Sequence, residues 1–267
     1  MTDGPPVGGD GRRLAIPGTT NLRDVGGYRV VGGGRTRWGV LYRGDTARDV
    51  PGALDALGGL GVRTVIDLRP AAETKAVPSL WPRVPGVEVV AVPVPDGADG
   101  EATGIIEQLR SGALRRFDEA DLGRFYIRTL QQRAAELGRA AATLGGVGAL
   151  PAVVHCAAGK DRSGLLVALV LTACGVERAD VLDDYALTSL YRANRLDDFR
   201  VELERLGTVP EDIAAVFACP PEALAAALES VEQRHGSVAA YLTGPGAVPA
   251  EVLDRLRAGL TVSPRRG

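Results

Sequence analysis

Four short runs of aliphatic and β-branched residues punctuate the first 160 positions: WGVLYR (38–43), VRTVIDLR (62–69), VEVVAVPV (87–94) and PAVVHC (151–156). Runs this short and this apolar fit strands covered on both faces. Between them the apolar positions recur with a helical period. PGALDALGGLG (51–61) opens on Pro and closes on Gly, the ends a helix prefers. Near 118–144, Leu122, Tyr126, Leu130, Leu137 and Leu144 fall at spacings of four and seven, which predicts one long helix with one apolar face. After Gly164 the pattern is helical almost throughout, in RADVLDDYALTSLYRANRLDDFRVELERLG (178–207), PPEALAAALESVEQRHG (220–236) and PAEVLDRLRAGL (249–260). Strands alternating with helices predict an α/β fold: a central, mainly parallel sheet flanked by helices, with a helical C-terminal extension over 178–260. Gly32 to Gly34 read as a hairpin turn ahead of the first run.

Residues 1–12 are polar and rich in Gly and Pro and read as a disordered tail, as does SPRRG at the end, leaving one domain over 13–262. No repeat at solenoid spacing is visible. The longest apolar run, LLVALVLTACGV, has about 12 residues against the roughly 20 a membrane span needs, so it reads as a buried helix. The charges of the N-terminus are followed by no apolar stretch, so no conventional secretory signal is expected and the default location is the cytoplasm. A net charge of −2 offers no electrostatic footprint for nucleic acid. Three widely spaced cysteines (Cys156, Cys174, Cys219) make no disulfide framework and suit a reducing compartment.

The chemistry concentrates in PAVVHCAAGKDRSGLLVALVLTACG (151–175), where a buried strand runs through a tight loop into a buried helix. Loop amides and a helix N-terminus form an anion site, and in open α/β sheets ligands bind at the carboxyl ends of strands. Thiols at helix N-termini beside cations can fall to pKa values of roughly 3.5–7.5 and become nucleophiles at neutral pH. Arg162 brings a planar fork suited to two phosphoryl oxygens. Gly159 permits a tight turn, and the Ser163 hydroxyl can donate to the thiolate and help it depart. Each feature makes sense if a phosphoryl group sits between Cys156 and Arg162, held by the backbone of Ala157, Ala158, Gly159, Lys160, Asp161 and Arg162. A Walker A reading fails because Lys160 is followed by Asp161 and Val154 stands where the first Gly belongs. A papain-like reading lacks a base, since His235 ends a helix beside Gly236. His155 reads as a residue that holds the loop by hydrogen bonding. No His/Cys/Asp cluster has ligand spacing, so neither metal nor cofactor is expected.

HCAAGKDRSG resembles the HCx5R(S/T) signature of the cysteine-based protein tyrosine phosphatases. TTNLRDVGGY (19–28), LYRGD (41–45), TVIDLRPAAE (64–73), DDYALTS (183–189) and HGSVAAYL (235–242) resemble the bacterial branch typified by mycobacterial tyrosine phosphatase B. The likeness runs over roughly 14–260. It implies attack by Cys156 on phosphorus, a phosphocysteine, and hydrolysis by water without metal. Phosphotyrosine is the expected substrate class, with phosphoserine/threonine and phosphoinositides open, so the partner is a phosphorylated protein or phospholipid. Lys160 adds a cation, although Ala157 stands where a lipid phosphatase of the superfamily has Lys. The family points to Asp96, in VPVPDG, as the acid that protonates the leaving oxygen; Asp161 is the rival. Asp67 and Arg69, at a strand's carboxyl end, suit a buried ion pair as well as a substrate role. The branch carries a helical lid, for which the Arg/Asp-rich helices around 187–206 are the candidate, with plain packing helices the equal alternative, and relatives can be exported without a conventional signal. Oligomeric state is not legible. A rhodanese-type sulfur transferase and a non-catalytic phosphate-reading module are the alternatives. Cys174 reads as a core thiol roughly 15 Å along the helix, too far to bridge to Cys156. Cys219 has no reading.

Overall fold

A computed structural model of the chain describes residues 11–95, 104–193 and 196–262. The N-terminal tail lies outside these residues up to position 10, and SPRRG lies outside them too. Arg12, which the sequence pattern assigns to the tail, is fastened to the domain: its guanidinium lies 3.7 Å from the centroid of the Tyr28 ring and 4.8 Å from that of Trp38.

An edge strand β1 (Arg23–Asp24) and a ribbon strand β2 (Arg35–Thr36) come first. The Gly32–Gly34 turn lies ahead of β2, closed by the Val30 amide on the Gly34 carbonyl. The four predicted runs follow as β3 (Leu41–Gly44), β4 (Thr64–Asp67), β5 (Glu88–Ala91) and β6 (Ala152–His155), each shorter than its apolar stretch. At the far end of the chain β7 (Thr261–Val262) pairs with β2. The sheet order is β1-β3-β6-β4-β5, and only β1 is antiparallel. β6 enters last, between β3 and β4. The carboxyl ends of these three strands, at Gly44, His155 and Asp67, therefore lie side by side in one register row.

Alternation along the strands feeds two cores. Tyr42, Val153 and Val65 pack on one face against Ala53 and Leu57 of α1 (Ala53–Gly58) and against Trp81. Leu41, Val154 and Ile66 face the other way, into a thicker helical layer. That layer is built on α6 (Asp161–Ala173), whose residues are buried from Arg162 to Leu171. A helix apolar all round has no solvent face and belongs in the middle.

The predicted helix over 118–144 divides into α4 (Glu119–Gln132) and α5 (Ala134–Leu144) at Arg133, whose φ of −117° and ψ of 24° leave the helical region. The division lets α4 pack along α9 (Pro221–His235) while α5 follows α6, α10 (Val238–Thr243) and α11 (Ala250–Leu260). The Asp118 carboxylate opens α4 with a reciprocal cap to Asp121. The stretch 178–207 likewise divides, into α7 (Arg178–Tyr191), a 3-10 turn at Asp197–Phe199 and α8 (Arg200–Arg205). Two short helices have no counterpart in the sequence pattern, α2 (Ala71–Ala76) and α3 (Ile105–Arg110). No single helix among the described residues is long and apolar enough to cross a membrane.

Candidate active site

Residues 156–160 join β6 to α6, and all five of their carbonyls are held from outside the loop. The Thr46 hydroxyl donates to the Cys156 carbonyl (3.1 Å) and the Thr46 amide to that of Ala157 (3.3 Å). Asn21 Nδ2 donates to the carbonyls of Ala158 (3.0 Å) and Gly159 (3.2 Å). Arg43 Nη2 donates to Gly159 (2.8 Å) and Lys160 (3.2 Å). A trans peptide is planar, so each outward carbonyl turns the next residue's N–H the opposite way. The amides from Ala157 to Asp161 are thereby aimed into the loop, at the head of a helix whose dipole adds partial positive charge. Gly159 makes the turn at a φ of 68°. Cys156 stands at the start of this nest and is 2% exposed.

Arg162, in the first turn of α6, has its fork gripped. Nη1 and Nη2 donate to the two carboxylate oxygens of Glu73, on α2, at 2.7 and 2.9 Å. This bidentate pair sets the plane of the guanidinium. Lys160 turns away from the nest: its Nζ donates to the Val216 carbonyl (2.7 Å) and lies 3.1 Å from Asp161 Oδ1. With Lys160 only 5% exposed, the second cation expected beside the phosphate is instead a strut to the segment after α8. Asp161 Oδ1 also accepts from the Tyr126 hydroxyl at 2.5 Å, and Tyr126 meets Tyr185 at 2.6 Å. Ser163 is fully buried, and its hydroxyl has no hydrogen-bond partner among the described residues.

His155 is fully buried, with Nδ1 3.3 Å from the Cys156 carbonyl. Burial lowers its pKa, against the opposing pull of Asp67. Asp67 and Arg69 form the buried ion pair, with Arg69 also donating to the Val77 carbonyl. Asp96 lies outside the described residues; the chain leading to it runs along the carboxyl end of β4, through the Val92 amide on Asp67 and the Val94 amide on Leu68. Cys174 is a buried thiol whose pKa burial pushes up to about 12. Cys219, also buried, donates its amide to the Ser189 hydroxyl, and burial raises its thiol pKa, with the charges of Lys160 and Asp161 as lesser influences. The Arg- and Asp-rich stretch after α7 packs beside α3 and the 3-10 helix Pro210–Val216 that receives Lys160.

The residues that grip the loop were not assigned roles by the sequence pattern. Asn21, Arg43, Thr46 and Glu73 lie in or beside TTNLRDVGGY, LYRGD and TVIDLRPAAE, and Asp184 and Thr188 behind them lie in DDYALTS. The visible signal was an arginine in the middle of a buried strand.

Comparison with known proteins places the chain in a family. The model of the tyrosine phosphatase family matches residues 14–262. The triple specificity protein phosphatase PtpB of Mycobacterium tuberculosis is 30% identical over 278 residues, 91% of this chain and 96% of that one. A protein named as a tyrosine-protein phosphatase in Cupriavidus necator is 29% identical over 230 residues, 86% of this chain and 82% of its own. Among solved structures, the core catalytic domain of the PP-IP phosphatase SIW14 from S. cerevisiae matches with a TM-score of 0.39 and 15% identity, over 72% of this chain and 94% of that one. With the family match spanning nearly the whole chain and a buried cysteine heading the amide nest, the chain belongs to the tyrosine phosphatase family.

Proposed function

We propose that this phosphatase hydrolyses aryl phosphate monoesters, phosphotyrosine in proteins first among them, through a phosphocysteine on Cys156. The observation that carries the reading is the row of five pinned carbonyls, which leaves the intervening amides converging on one buried cysteine. In the first step the Cys156 thiolate attacks phosphorus, the bond to the ester oxygen breaks, and an acid gives that oxygen a proton. In the second, water attacks phosphorus, the bond to sulfur breaks, and the water's proton returns to the carboxylate. Amides 157–161 and Arg162 hold the equatorial oxygens as charge shifts. In this reading the Ser163 hydroxyl, which has no hydrogen-bond partner among the described residues, turns to donate to the sulfur as it regains its charge.

Asp96 is the acid in this reading. Asp161 Oδ1 already accepts from Tyr126 and faces Lys160, the surroundings of a carboxylate that holds its neighbours. The burial of Lys160 counts against phosphoinositides, which carry further phosphates that a free ammonium would read. The Mycobacterium tuberculosis relative is named for triple specificity, so substrates beyond phosphotyrosine are assayed as well.

The test is hydrolysis of a phosphotyrosine peptide, a phosphoserine peptide and a phosphoinositide in EDTA, by wild type, Asp96→Ala and Asp161→Ala. Phosphotyrosine is expected to turn over fastest. Asp96→Ala should lose about 10²–10⁴-fold on it and much less on p-nitrophenyl phosphate, whose leaving group needs no proton. The same pattern in Asp161→Ala would move the acid into the loop. Faster turnover of either other substrate would overturn the assigned class.

Glu73 supplies a separate expectation. Glu73→Gln keeps the size of the partner but gives Arg162 one acceptor oxygen where it had two, and an amide N–H facing its own. Loosening the fork is expected to cost on the order of 10²-fold in kcat/KM, read by steady-state kinetics on p-nitrophenyl phosphate.

A further inference from the structure

The sheet row that contributes Ile66 and Val154 has Arg43 as its third member. Arg43 is 1% exposed, an arginine where its neighbours are aliphatic. Its Nη1 donates to Asp184 Oδ2 at 2.6 Å, and its Nη2 to the carbonyls of Gly159 and Lys160. Asp184 is shared with a second buried arginine: Arg23 Nε donates to its Oδ1 at 3.1 Å. Arg23 Nη1 in turn donates to Asn21 Oδ1 (2.5 Å), whose Nδ2 holds Ala158 and Gly159. Two guanidiniums thus share one carboxylate, and both lead to the same loop, Arg43 directly and Arg23 through Asn21. Burial alone would raise the pKa of Asp184; the two arginines overrule it and bring it down to about 2, so the carboxylate stays charged.

Stability alone does not call for this arrangement. Replacing a buried ion cluster by well-packed apolar side chains is often neutral or stabilising, and the row already shows which aliphatic residues would fill it. What apolar side chains could not do is bind the loop carbonyls. We propose that Arg43 is a positioning residue for the Cys156 reaction: it holds the Gly159 and Lys160 carbonyls outward so that the amides opposite them stay aimed at the phosphoryl oxygens, and it places positive charge behind the loop. This rests on the phosphate-loop reading given above.

The experiment measures kcat and KM on p-nitrophenyl phosphate, and tungstate affinity by calorimetry in the Cys156→Ser background, for Arg43, Arg43→Lys and Arg43→Met. Leu228→Ala, which empties a buried site on α9, calibrates loss of stability alone. A folded Arg43→Met is expected to lose at least about 30-fold in kcat, with a smaller change in KM, and about tenfold in tungstate affinity, in line with the cost of moving oxyanion donors. Arg43→Lys should fall between, because one ammonium cannot span Asp184 and both carbonyls. Leu228→Ala should lower the melting temperature and leave kcat within about twofold of wild type, as a cavity mutation acts on folding. If Arg43→Met does not fold, Arg43→Lys decides by the same readouts. Wild-type kcat and tungstate affinity in a folded Arg43 variant would overturn the proposal. Absence of tungstate binding with Arg43 intact would instead sink the phosphate-loop reading itself.

Discussion

Cys156→Ser is expected to lose at least about 10⁴-fold in kcat on every phosphate ester, the scale seen when a nucleophile is removed, while still binding tungstate. A serine hydroxyl does not ionise near neutral pH, and the adjacent imidazole of His155 is 0% exposed and directs Nδ1 to the Cys156 carbonyl. The oxyanion site is a different matter. It is made by amides whose orientation is set by Thr46, Asn21 and Arg43 acting on backbone carbonyls of Cys156 and its neighbours. Exchange of sulfur for oxygen at a 2% exposed position leaves that frame standing. The measurement pairs steady-state turnover with tungstate calorimetry. Turnover within about tenfold of wild type in the variant would exclude the phosphocysteine, since the variant has no thiol at position 156 to form it.

The contrast between that residue and those around it explains what the sequence made legible. Cys156, Gly159, Arg162 and Ser163 lie within eight consecutive positions between an apolar strand and an apolar helix, so their meeting needs only local geometry. The strands were legible for the same reason: Val65, Ile66, Val153 and Val154 alternate between two cores and leave little choice of conformation. The grip on the loop is non-local. Asn21 meets Ala158 across 137 residues, Arg43 meets Gly159 across 116, and Glu73 meets Arg162 across 89. No periodicity encodes those pairings; they follow from β6 inserting between β3 and β4. Lys160 illustrates the limit from the other side. Its identity suggested a ligand for phosphate, but a side chain's direction depends on what lies around it, here the Val216 carbonyl of a distant helical turn. Arg133 does the same for helix length, since the break between α4 and α5 reflects different packing partners beneath one continuous pattern.

Gly159→Ala is expected to lose about 10³-fold or more in kcat/KM, because the added methyl forces apart the two walls that define the oxyanion site. Two costs combine. The first is conformational: at a φ of 68° an alanine sits in the left-handed region, at about 1–2 kcal/mol. The second is steric. A Cβ on Gly159 would lie 2.5 Å from the carbonyl carbon and oxygen of Gly44 and 2.7 Å from the amide nitrogen of Asp45. Those atoms cannot retreat, since Gly44 is in register with His155 and the Asp45 carboxylate accepts from the amides of Thr20 and Asn21. The loop must lift instead. Lifting strips the Gly159 carbonyl from Arg43 and Asn21 and swings the peptide between Gly159 and Lys160, so the Lys160 amide leaves its aim and its neighbours follow. Gly61→Ala separates the two costs. Gly61 has a φ of 63° and nothing within 4 Å of the added methyl, so it should lose about 1 kcal/mol of stability and no activity. Urea melts and kinetics on the pair decide the matter: a Gly159→Ala enzyme that lost no more activity than Gly61→Ala would mean that the loop does not need its close approach to β3, and that the pinned carbonyls are not what aims the amides.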